Sequence, residues 1–192
     1  MSESPTWKVD AWDLENDMAK IRQQWTTVRA ILEDDGLGSV RAPEVSGWSC
    51  GEQAAQIVLV AQAVAAAIRK ILAEPGQHCD EQPSPSLMKA MEKGSLQRGV
   101  AKAPANAVPT GSSIDESLER LSRAIQTWDQ LAGSPELPEI PGRVPHFSLG
   151  SLNASEWVRF CAMHNAHHLA IVRDILDQVG DPEAGASLFG SA

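Results

Sequence analysis

The sequence predicts an all-α protein: a four-helix bundle with a long crossover between its second and third helices, in up-down-down-up order. Three observations predict it. Four segments of roughly twenty residues carry apolar side chains at helical spacing. Three of those segments follow a helix-start signal in which Ser or Asn stands three residues before Glu (Ser49 and Glu52, Ser113 and Glu116, Asn153 and Glu156). A connection over 74–112, rich in Pro, Gly and Ser, separates the second segment from the third, and its length suits a crossover between parallel helices.

Residues 1–11 read as a polar lead-in. The first helix runs from about Trp12 to Asp34, with Leu14, Met18, Ile21, Trp25, Val28 and Leu32 stepping by 4 and 3 along one seam. Gly36 and Gly38 supply its stop. The second helix starts at Trp48-Ser49 and continues to about Ala73, ahead of Pro75-Gly76. Between Ala54 and Ile68 nearly every side is Ala, Val, Ile or Leu, which predicts a central helix. The crossover holds one short helix, Ser86 to Lys93, ended by Gly94. The third helix spans Ser113 to Ala132 on the seam Ile114, Leu118, Leu121, Ile125 and Trp128. Residues 133–152 read as a loop without strands. The fourth helix spans Ala154 to Val179. A single domain over 1–180 and a small, polar, flexible tail over 181–192 are therefore expected.

Composition narrows the function. The net charge of -9 repels phosphate backbones, so no nucleic-acid partner is expected. Cys50, Cys79 and Cys161 match no disulfide or zinc spacing, which favours a reducing compartment. No leader pattern opens the chain, and the run Ala54–Ile68 reads as too short and too Ala-rich to span a bilayer. A cytoplasmic protein without a membrane partner is the expectation.

The chemistry concentrates in His164-Asn165-Ala166-His167-His168, midway along the fourth helix. At about 100° per residue, His164 and His168 fall within roughly 20° of the centre of the apolar stripe, and His167 roughly 80° off it. Two imidazoles four residues apart on a buried face reach one ion, or require hydrogen-bond partners of their own. Cys161 lies one turn earlier on the same stripe and reads first as a small buried hydrophobe. Trp48 and Trp157 read as packing anchors, and Glu52 and Glu156 as capping residues.

Two stretches carry a resemblance. Trp48-Ser49-Cys50-Gly51-Glu52-Gln53-Ala54-Ala55-Gln56 resembles the opening of the second helix in the DinB/YfiT-like superfamily of metalloenzymes. Pro145-His146-Phe147, then Leu152-Asn153-Ala154-Ser155-Glu156-Trp157, then His164-Asn165-Ala166-His167-His168-Leu169, resemble that family's last loop and helix. The resemblance implies a zinc or nickel ion held by one second-helix and two fourth-helix histidines, His164 and His168 here. It also implies a thiol-dependent transferase or hydrolase acting on a small molecule, and a homodimer. The sequence departs from the family at Gln56, where the second-helix histidine is expected. An amide oxygen is a poor zinc ligand. Either His146 or Glu52 substitutes for it, or Gln56, His164 and His168 form a metal-free network in a pocket that also includes Cys161 and His167. The metal-dependent enzyme stands first. A non-catalytic bundle that binds a small molecule, or is built chiefly for self-association, stands beside it.

Overall fold

The computed structural model describes residues 9, 11–74, 81–99, 103–109, 113–134, 137 and 140–190. Cys79, and with it part of the crossover, lies outside them. The elements in order are α1 (Leu14–Glu33), α2 (Asp35–Ser39), α3 (Cys50–Ala73), α4 (Pro85–Lys93), a 3-10 turn (Ala105–Ala107), α5 (Ile114–Ala132), β1 (Val144–His146), β2 (Gly150–Leu152), α6 (Ala154–Val179) and α7 (Pro182–Phe189). The protein is thus mostly α-helical. Each of α1, α3, α5 and α6 packs against others of the four, α3 touching all three of its counterparts.

Local chemistry explains the ends. Asp13 caps α1 by accepting the Asn16 N–H. Ser49 and Glu52 close a reciprocal capping box on α3, and Asn153 and Glu156 do so on α6. At α5 only half the expected box forms. Ser113 accepts the Glu116 N–H, while the Glu116 carboxylate pairs with Arg120 one turn on. Gly94 ends α4 in the left-handed region, where a β-carbon would run into the carbonyl of Val9 and the guanidinium of Arg159.

Four expectations need correction. Gly36 and Gly38 do not simply stop α1; Asp34 caps a further short helix, α2, that includes both. Gly38 then lies so close to Gly51 that a β-carbon on Gly51 would stand 2.9 Å from the Gly38 carbonyl oxygen. Residues 144–152 are not strandless, because Val144 pairs with Leu152 and His146 with Gly150 in a small antiparallel hairpin. The tail forms α7, capped by Asp181, with Ala184, Leu188 and Phe189 packed against the core. Finally, α3 is 24 residues, long and apolar enough by length and composition to cross a membrane. Its packing, with half of its most apolar window buried, is that of a core helix. It is not covered all round: Ala63, Ala66, Arg69, Lys70 and Ala73 are exposed.

A fully buried charged pair lies inside the fold. Arg159 of α6 is fully buried and donates from Nη1 to Asp17 Oδ1 of α1 at 2.7 Å. Its Nε and Nη2 donate to the Met91 carbonyl at the end of α4, which fastens the crossover to the helices. Desolvation, partly offset by Arg159, raises the Asp17 carboxyl to about 6. An arginine cannot shed its proton, so removing the carboxylate strands a buried charge. Asp17→Ala is expected to cost about 3–5 kcal/mol in urea unfolding followed by far-ultraviolet circular dichroism. A loss under about 1 kcal/mol would mean that Arg159 finds water in the folded chain.

Candidate functional site

Helix α6 carries the imidazole pair inward as its spacing requires. His164 and His168 are each 8% exposed, and their ring centroids are 4.5 Å apart. Around them runs a wall of rings. Trp48 lies nearly parallel to His168, 6.2 Å away at 21°. Phe160 stands 5.8 Å from His164. His146, on β1, sits 5.1 Å from Phe160, 5.5 Å from Trp157 and 4.3 Å from Phe147. Phe147, at the hairpin tip, is 65% exposed. The hairpin is held to α6 by Arg143, which donates to the Ser151 carbonyl and to Glu156.

Hydrogen bonding singles out residues that sequence spacing did not. His168 Nδ1 lies 2.6 Å from Oε1 of Gln53, not of Gln56. Gln53 is 1% exposed, and its amide nitrogen donates to Ser46 Oγ in the loop before α3. Gln56 is buried one turn further along α3, and its Oε1 has no partner among the described residues. His164 Nδ1 is in the same position, as are both amide atoms of Asn165. Asn165 has the Cys161 thiol as a neighbour. The signal for Gln53 was present in the sequence: a second amide three residues before Gln56 on an otherwise apolar helix. Spacing alone gives Asn165 no role inside the histidine motif, and Trp48, expected as a packing anchor, also stacks on His168.

The remaining candidates are placed differently. Glu52 binds the Ser49 N–H and pairs with Arg41 at 2.9 Å, which lowers its carboxyl despite partial burial. Cys161 is fully buried, and desolvation pushes its thiol up far beyond its ordinary value. It is therefore no activated nucleophile. His167 is half-buried, with its ring edge-on to His168 at 5.1 Å, and it bonds the backbone at Leu96. His146 accepts the Ser148 N–H at Nδ1, 3.3 Å away. Two surface grooves of about 350 and 450 Å³ lie between α3 and α5, and no histidine lines either.

A zinc-type centre takes its protein donors from imidazole, thiolate and carboxylate, usually three or four of them. Among the described residues no three His, Cys, Asp or Glu side chains come together as such a group. His146 is wedged among aromatic rings with Nδ1 engaged, Glu52 faces its cap and Arg41, and Gln56 brings a neutral amide. The residues present do not fit a three-donor zinc or nickel centre.

The fold and site define a helical protein with a pair of buried imidazoles set between amides and an aromatic wall. The model of the DinB superfamily matches residues 17–172, and the chain belongs to that superfamily. No curated protein and no solved structure matches it.

Burial keeps these rings neutral. Desolvation, with smaller contributions from His167 and His146, pushes His164 down to about 3. Desolvation and then His164 hold His168 well below its ordinary value, and desolvation takes His146 to about 4. A histidine depressed in this way binds a proton more tightly unfolded than folded. Its contribution to stability is whole above pH 6.5 and is lost as the pH falls from there toward about 3 for His164. Within that window each ring accounts for up to about 1.4 kcal/mol per pH unit. Asp17, raised to about 6, works in the opposite direction, so a variant comparison isolates the histidine effect. Urea midpoints measured from pH 7 to pH 5 are expected to fall less steeply in His164→Gln than in the parent. Equal slopes would place the His164 ring in contact with bulk water.

Proposed function

We propose that this chain is a DinB-superfamily domain, over residues 1–180, that binds a small molecule at the His164–His168 pair without a metal ion. In this reading Gln56 marks the loss of the third metal donor. The observation that carries it is the pair of buried atoms, Gln56 Oε1 and His164 Nδ1, that no described side chain or backbone group satisfies. Buried polar atoms of this kind cost a few kcal/mol each unless something supplies the missing hydrogen bond. A ligand or ordered water that fills the pocket removes that cost. The neutral rings and the aromatic wall suit a small uncharged molecule with flat or apolar parts.

The bundle order we read is up-down-down-up. Asp17 meets Arg159 and Gln24 meets Ala162, so contacts advance in the same sense along α1 and α6. Gln53, at the start of α3, meets His168, whereas Ile71, near its end, lies against Gly142 ahead of α6. The groove between α3 and α5 runs from Gln62 beside Arg123 to Ala73 beside Ser134, which supports a parallel pair joined by the crossover. Cys50 and Cys161 are unpaired and buried, which suits a cytoplasmic location.

One observation favours a second reading, a metal-dependent transferase or hydrolase with zinc or nickel on His164, His168 and Gln56. Gln53 holds Nδ1 of His168 much as metal-ligating histidines are held by an oxygen behind the ring. Elemental analysis of full-length protein purified without a nickel column separates the two. The proposal expects far less than one zinc or nickel per chain and no change in melting temperature when either ion is added. Stoichiometric metal that disappears in His164→Ala would overturn it in favour of the metal enzyme.

A further inference from the structure

The nitrogen that His168 offers a ligand depends on the Gln53 amide, which Ser46 anchors from outside the pocket. This serine lies in the loop before α3 and is half-buried. Its Oγ accepts the backbone N–H of Trp48 at 3.1 Å and the Nε2–H of Gln53 at 2.8 Å. With its nitrogen end so engaged, the Gln53 amide turns its oxygen to His168 Nδ1, 2.6 Å away. That separation is already at the short edge for an N–H···O hydrogen bond. A reversed amide would put nitrogen against nitrogen at the same distance, which is too close. A ring nitrogen that faces a carbonyl oxygen must carry the hydrogen. The lone pair then sits on Nε2, on the far side of the ring from Gln53. Trp48, whose backbone joins the same network, stacks on that ring and holds its plane. One turn of chain therefore fixes both the orientation of the imidazole and the place of its proton. Gln56 Oε1, buried without a partner, adds a second acceptor on the same helix.

We propose that Ser46 and Gln53 are positioning residues that fix His168 as its Nδ1–H tautomer, so that Nε2 receives an N–H or O–H donor and the site turns away carboxylates and phosphates. The proposal rests on the reading that the pocket takes a small molecule, and it names the chemical class of that molecule: an uncharged hydrogen-bond donor such as an amide or an alcohol. An anion would bring its lone pairs against that of Nε2, and Arg98, the cation whose charge reaches His168, is exposed and already paired with Asp174 at 2.8 Å.

Long-range proton–nitrogen correlation spectra of the 15N-labelled, chelator-treated full chain report the tautomer directly. The His168 signals are identified by their loss in His168→Gln. The parent protein is expected in the Nδ1–H form. Gln53→Glu keeps an acceptor in place and retains that form, while Gln53→Leu converts the ring to Nε2–H. Ser46→Ala leaves the amide free to turn and gives a mixture. An Nε2–H ring in the parent would overturn the proposal, and so would a folded Gln53→Leu that keeps Nδ1–H. Should Gln53→Leu fail to fold, the parent spectrum and the Ser46→Ala mixture decide. Formamide and formate, nearly equal in size, test the ligand class. Formamide is expected to shift the Nε2 resonance more than formate does, and a formate shift equal to or larger than that of formamide would overturn it. Because the tautomer is read in the free protein, its outcome is separate from whether a small molecule or a metal fills the pocket.

Discussion

Everything about the candidate site depends on one constraint: an imidazole taken out of water must stay neutral and must still place one donor and one acceptor. Helix α6 imposes that constraint twice, one turn apart, on the face that packs against α3. Helix α3 answers with amides in an otherwise apolar surface, and the answer is incomplete. Gln53 satisfies His168, whereas Gln56 and His164 keep atoms without partners. An apolar core tolerates such atoms only at a cost comparable to a sizeable share of a domain's net stability. That cost is what the proposed ligand or an ordered water would remove.

Charge follows the same logic elsewhere in the fold. Arg159 cannot be neutralised by losing a proton, so it is buried only with Asp17 and the Met91 carbonyl around it. The histidines can be neutralised, and burial does so. Two solutions to one desolvation problem thus sit on the same helix, α6. The arginine cluster ties α1 and the end of α4 to α6. The histidine cluster leaves Gln56 Oε1 and His164 Nδ1 without partners among the described residues.

Much of the helical framework was legible in the sequence, because seams and caps are local signals. The ends of α3, α4, α5 and α6 at Ala73, Lys93, Ala132 and Val179 follow from where apolar periodicity meets Pro, Gly or an exposed cap. What escaped is what local signals do not encode. The hairpin over 144–152 is three residues per strand, too short for an alternating pattern, and is fixed by Arg143 bonding to Ser151 and Glu156. Helix α7 was hidden by a small-residue composition that reads as disorder until it packs on the core. For the site, helical spacing put His164 and His168 inside. It did not distinguish Gln53 from Gln56, since both lie on the buried face of α3 and only the rotation of α3 against α6 decides which amide meets which ring. The pairing of Asp17 with Arg159 was invisible for the same reason, the two residues being 142 positions apart.

The central claim is that the imidazole pair lines a polar pocket that works without a metal. Diffraction to atomic resolution, with anomalous data collected at the zinc and nickel edges on crystals grown from protein never exposed to a nickel column, tests it most directly. No anomalous peak is expected beside His164 and His168, and ordered water or organic density is expected within hydrogen-bond distance of Gln56 Oε1 and His164 Nδ1. A metal peak coordinated by both rings, or rings turned out to bulk solvent, would contradict it.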